Sequence, residues 1–211
     1  GALGQGSSNN LSKDTDLALA IGTKLADFTT GSWANFENPI FKLVSVNTAR
    51  YDTTKHLATP VISDAKVGLQ KISEALGDWR APDPWYQRAI KERDEWDAYV
   101  EKQSGPTNQE EPSYAHAVGA VYRNSDPSDI VVTAAGGLVG EVVQVWKPKQ
   151  LNTFETEWGF SCMGYEISGA LGIKMAKPDQ DVVVFVGDGS YLLNNSDIYS
   201  SVLYDQKLII I

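Results

Sequence analysis

The sequence predicts an α/β fold of parallel sheets with flanking helices, and three observations lead there. Short runs of β-branched residues end in glycine-containing turns, helix-periodic segments follow them, and the two patterns alternate along 211 residues. That alternation is the signature of parallel sheets. The clearest instance is Val182–Ser190, VVVFVGDGS. Five apolar residues run into Gly187-Asp188-Gly189, and the amphipathic run Tyr191–Tyr204 begins at once: a buried strand, a tight turn and a helix start.

In chain order, Gly1–Asn10 (GALGQGSSNN) reads as a loop. Leu17–Ile21 (LALAI) reads as a short buried strand ending at Gly22-Thr23, and Phe41–Val46 as a second, with a polar and aromatic loop over Asp27–Phe36 between them. Val61–Leu76 places Val67, Leu69, Ile72 and Leu76 near helical spacing. Residues 1–77 therefore form part of one α/β domain. Residues 78–111 differ in kind. Pro82 and Pro84 open the segment, Trp85, Ile90, Trp96 and Val100 lie among many charges, and Gly105-Pro106 closes it. This predicts an exposed amphipathic helix acting as a linker.

Residues 112–211 form a second α/β unit. Ser113 is placed to cap a helix through Arg123. Asp129–Thr133 is a strand leading into Ala134-Ala135-Gly136-Gly137. Gly164–Ala176 alternates small and apolar residues, as a helix packed closely on a sheet would, and Pro178 ends it before the Val182 strand. Lys207–Ile211 (KLIII) opens one more strand. The loop-like start and the buried-strand pattern at the end predict a piece of a longer polypeptide.

Composition narrows the function. A net charge of −9 with no basic cluster argues against nucleic acid and anionic membrane as partners. No apolar run approaches the ~20 residues of a membrane span. A single cysteine, Cys162, excludes an intramolecular disulfide and suits a reducing cytoplasm. Ligands of open α/β sheets sit at strand ends, free helix N–H groups there attract phosphate, and an Asp in such a turn can hold Mg²⁺. A carboxylate at a buried strand end would also need a partner to offset its desolvation, which a metal supplies. Asp188 is accordingly the candidate metal ligand. Gly136-Gly137 reads either as a close backbone approach to a ligand or as a plain βα turn. Asn194-Asn195 reads as helix surface or local capping, Met163 by itself as core filler, and Cys162 as a small buried hydrophobe. His56 and His116 have no ligand spacing around them.

Taken together, Gly159–Gly164 (GFSCMG), the small-residue helix, Pro178 and VVVFVGDGS resemble the cofactor domain of thiamine-diphosphate enzymes. Phe28–Trp33 (FTTGSW), Gly77–Arg80 (GDWR), Thr133–Leu138 (TAAGGL), Trp158–Tyr165 (WGFSCMGY) and Ser190–Val202 narrow the resemblance. They are similar to the trihydroxycyclohexane-1,2-dione hydrolases of bacterial myo-inositol breakdown. The resemblance implies part of a central Rossmann-like domain followed by the first half of a thiamine diphosphate domain. It implies Mg²⁺ on Asp188, diphosphate on the N–H groups of Gly189 and Ser190, and Gly136, Gly137 and Leu138 along its other side, with Gly187 in the turn. Ser161 would offer its carbonyl to the aminopyrimidine, and Met163 would wedge under a bent cofactor. It also implies hydrolytic C–C cleavage of a cyclic dione in a cytoplasmic homo-oligomer. The activating Glu of that family and its second metal-ligand segment would lie outside these residues, so the segment alone is expected to be inactive. Two other readings remain open: an acetolactate-synthase-like carboligase, and a nucleotide- or flavin-binding scaffold using Ile21-Gly22-Thr23.

Overall fold

A computed structural model describes all residues, 1–211, as parallel sheets with flanking helices, the predicted class. The chain divides into two compact units, Gly1–Ala98 and Tyr99–Ile211.

The first unit begins with helix α1 (Gly6–Asp14), where a loop was expected. Gly, Ser and Asn are poor helix formers, and tertiary contacts override them. Asn9 Oδ1 accepts from the chain's N-terminal ammonium at 2.6 Å and from Asn35 Nδ2 at 3.1 Å. Strand β1 (Leu17–Ile21) follows, then a single turn of helix α2 (Asp27–Thr30) inside the segment read as loop. Next come β2 (Lys42–Asn47), α3 (Arg50–Thr54) and β3 (Thr59–Ile62). The three strands are parallel in the order β1-β2-β3. β3 was not anticipated, because Pro60 argues against a strand; as an edge strand it loses no ladder bond there. Helix α4 (Ala65–Leu76) therefore starts later than Val61, and Asp64 caps it by accepting from the N–H groups of Lys66 and Val67. Helix α5 (Asp83–Ser104) is the long amphipathic helix, and the boundary between units falls within it.

The second unit contains α6 (Tyr114–Asn124), β4 (Ile130–Thr133), α7 (Gly137–Val145), β5 (Phe154–Thr156), α8 (Tyr165–Ala176) and β6 (Val182–Val184). α9 (Asp188–Asn194), α10 (Ser196–Leu203) and β7 (Ile209–Ile210) complete it. Ser113 caps α6 as expected. The cap is reciprocal: His116 N–H donates to Ser113 Oγ, and His116 Nδ1 accepts from the Ser113 N–H at 3.1 Å. His116 thus has a structural task.

All four strands are parallel, in the order β5-β4-β6-β7. Both faces of the sheet are covered, which is why its central strands read as continuous apolar runs. Ile130, Val132, Val182 and Val184 pack with Ala170 of α8 on one face. Val131 and Val183 alternate to the other. Trp146, at the end of α7, meets the edges of Tyr122 and Phe185.

Three local expectations are corrected. The run after Gly189 is two helices meeting at Asn195, with Val202 and Leu203 largely exposed. Cys162 is exposed, because its loop is held by a side chain rather than by burial. Asn194 does more than surface capping: its Nδ2 donates to the Gly164 carbonyl at 3.3 Å and to Ser168 Oγ.

Candidate functional site

Strand order places the site. From β4 the chain crosses to β5 on one side, while from β6 it leads to β7 on the other. The turns after β4 and β6 therefore diverge, and the crevice between them is where open α/β sheets bind ligands. A pocket of about 570 Å³ lies there, within the usual range for small-molecule sites.

One lip is the turn after β4. Gly136 has φ 83° and ψ −170°, backbone that only glycine adopts without strain, and it forms the N-cap of α7. Gly137 and Leu138 follow it along the pocket wall. The opposite lip is the turn after β6, with Val186, Gly187, Asp188, Gly189 and Ser190. Met163 reaches in from the loop before α8, half exposed, its Cε 3.0 Å from where a Cβ on Gly189 would sit. A Cβ on Gly137 or Gly187 would meet no protein atom within 4 Å, and neither residue has a positive φ. Neither packing nor backbone conformation requires glycine at these two positions. Both border the pocket.

Asp188 lies in the first turn of α9. Its side chain is exposed rather than sunk at the strand end, so the desolvation argument made from sequence does not hold. The strand closes at Val184, and the turn lifts Asp188 to the pocket rim. Its carboxylate makes no hydrogen bond or ion pair, which leaves it free to bind a cation.

The 159–163 loop is built on Glu157. Its carboxylate accepts from the N–H groups of Phe160 (2.9 Å) and Cys162 (2.8 Å), and these bonds hold it below the usual carboxylate range. Cys162 is pushed the other way, first by desolvation within the loop and then by the Glu157 charge. A raised thiol carries less thiolate, the form that acts as nucleophile. Ser161 takes a left-handed φ of 52° on this loop and is exposed. It does not line the pocket, whereas the other sequence-predicted residues (Gly136, Gly137, Leu138, Met163, Gly187, Asp188, Gly189 and Ser190) converge on it.

Residues 134–211 match the family model described as "Thiamine pyrophosphate enzyme, C-terminal TPP binding domain". These residues are similar to a thiamine pyrophosphate binding domain. Along its whole length the chain is 34% identical to the 3D-(3,5/4)-trihydroxycyclohexane-1,2-dione hydrolase of Geobacillus thermodenitrificans, covering 36% of that protein. Over 99% of its length it is 34% identical to the hydrolase of the same name from Clostridium tetani and 32% to that from Lacticaseibacillus casei, again covering 36% of each. The chain thus spans about a third of the length of the curated relatives it matches. No helix is long and apolar enough to cross a membrane.

Sequence reasoning missed two residues of this unit. Tyr114, at the start of α6, lines the pocket, and no local pattern marks it. Glu166 is fully buried. Its signal was available: a lone charge inside the small, apolar run GYEISGALG.

Proposed function

We propose that this pocket binds thiamine diphosphate together with Mg²⁺, and that the protein carrying it cleaves a carbon–carbon bond of a cyclic 1,2-dione by hydrolysis. The observation that carries the reading is the pair of glycines, Gly137 and Gly187, whose missing side chains face open space across a crevice at the sheet's switch point. A diphosphate needs that kind of clearance to approach two backbone turns.

On this reading the lips divide the work. The backbone N–H groups of Gly189 and Ser190, at the start of α9, donate to phosphate oxygens. The turn at Gly136, Gly137 and Leu138 closes the opposite side. Asp188 supplies a carboxylate to Mg²⁺. No three His, Cys, Asp or Glu side chains converge to make a metal cage, so the ion's other ligands would be phosphate oxygens, water and groups yet to be assigned, as suits magnesium. Met163 shapes the floor beside Gly189, and the Ser161 carbonyl would come into reach only with movement of its exposed loop.

When bound, thiamine diphosphate supplies a carbanion equivalent for a carbonyl carbon and an electron sink for the bond that breaks. The net reaction consumes one water. The bond between two adjacent carbonyl carbons opens, leaving a carboxylate at one and an aldehyde at the other, so no oxidant or reductant is needed. The assignment of a cyclic dione as substrate is supported by the names of relatives similar over the whole chain. Asp188 is the pocket's one carboxylate, and the activating Glu that the resemblance implies is not among the lining residues; the 211-residue chain is therefore expected to bind cofactor without turnover. Calorimetric titration of the chain with thiamine diphosphate, with and without Mg²⁺, tests the reading. Magnesium-dependent binding supports it, and equal binding in EDTA argues against it.

A further inference from the structure

Glu166 carries a carboxylate with no exposed surface, in the first turn of α8, and no cation faces it. Burying such a group is costly unless its oxygens are satisfied. Here each oxygen accepts one backbone N–H. Oε1 takes the N–H of Ala135 at 3.0 Å, in the turn after β4, and Oε2 takes the N–H of Gly164 at 2.9 Å, at the start of α8. The chain of contacts continues on the far side of Gly164. Its carbonyl accepts from Asn194 Nδ2 of α9, and Asn194 also donates to Ser168 Oγ, which in turn donates to Asp197 at 2.6 Å. Gly164 is fixed in this role: its φ is 96°, and a Cβ there would lie 2.8 Å from Asn194 Cβ.

Ala135 belongs to one lip of the pocket, and α9 carries the other. We propose that Glu166 is a positioning residue, the central link of a Glu166–Gly164–Asn194 strap that sets the separation of the two lips. The inference deepens the diphosphate reading and rests on it for the identity of the ligand. A neutral hydrophobe would fill the same volume without satisfying two N–H groups on different elements. The carboxylate, unlike an amide, offers acceptors to both.

The test compares the parent chain with Glu166→Gln and Asn194→Ala by amide hydrogen exchange without ligand. Each is also titrated with Mg²⁺–thiamine diphosphate and Mg²⁺–pyrophosphate. Glu166→Gln keeps one acceptor and turns a donor toward the other N–H. Exchange at Ala135 or Gly164 should then rise at least ten-fold while Val131 and Val183 stay protected. Both ligands should bind at least ten-fold weaker, by the same factor, because the altered feature is the diphosphate gap. Should Glu166→Gln fail to fold, Asn194→Ala decides the matter, with faster exchange at Gly164 and weakened binding of both ligands. Unchanged exchange at Ala135 and Gly164 in a folded Glu166→Gln overturns the strap, as does unchanged exchange at Gly164 in Asn194→Ala if the first variant is unfolded. A parent chain that binds neither ligand refutes the diphosphate reading instead, and exchange still decides the strap.

Discussion

Replacing Gly137 by alanine should strengthen the fold and weaken the site. Gly137 is the first residue of α7 and its backbone is not left-handed. Alanine there reduces the freedom of the unfolded chain and favours helix, worth roughly 0.4–1 kcal/mol. For a unit of this size that is a rise of roughly 2–5 °C in Tm. The new methyl meets no protein atom within 4 Å, so no packing strain offsets the gain. It does occupy the clearance proposed for a diphosphate. Displacing one charge-assisted contact costs roughly 1.5–3 kcal/mol, a loss of ten-fold or more in affinity. Gly136→Ala, one residue earlier, should lose roughly 1–2 kcal/mol of stability because its φ of 83° strains any side chain. Calorimetric melts and titration with Mg²⁺–thiamine diphosphate read both effects. A Gly137→Ala chain that is less stable than the parent, or that binds equally well, refutes the clearance argument.

Three further outcomes follow from the same geometry. Met163→Ala should leave Mg²⁺–pyrophosphate affinity within about two-fold while lowering that for the whole cofactor, since Met163 lines the floor and donates nothing; titration with both ligands separates the two. Val132→Ala, at a position with no exposed surface, removes two buried methyl equivalents and leaves a cavity. It should cost roughly 2–3 kcal/mol, read by denaturant unfolding. Glu157 is held ionised by the N–H groups of Cys162 and Phe160, so its contribution to loop order is present above the ordinary value of 4.5 and is lost as pH falls through the depressed one. Exchange at Phe160 and Cys162 should rise below that point, and Glu157→Gln should speed alkylation of Cys162 at pH 8 by removing the charge that helps hold the thiol protonated; an unchanged alkylation rate would contradict this.

Much of the second unit was legible because its residues obey one rule at a time. β4 and β6 are buried on both faces, so their valines run without interruption, and the turns after them carry glycine, at Gly136 because the backbone there is left-handed. β3 hid behind Pro60, which only the edge of a sheet tolerates. α1 hid in a Gly/Ser/Asn stretch whose order comes from Asn9, Asn35 and the chain's own N-terminus. The exposure of Cys162 and of Asp188 depends on where loops leave the sheet, which no local pattern encodes. Glu166 could have been found as a lone charge in the small, apolar run GYEISGALG, but its partners, Ala135 and Gly164, lie on different elements. Their meeting is a product of topology.

If the turn after β6 holds a cation between protein and diphosphate, as proposed, Asp188→Ala removes the carboxylate that would bind it. The carboxylate is exposed and unpartnered, so its removal should leave Tm within about 1–2 °C, as for a surface substitution. Affinity for thiamine diphosphate in the presence of Mg²⁺ should fall at least ten-fold, and its dependence on magnesium should shrink with it. Titration of parent and variant at matched magnesium concentrations supplies the measurement. A variant that binds the cofactor as tightly as the parent, with the same response to magnesium, would show that this turn is not the metal site.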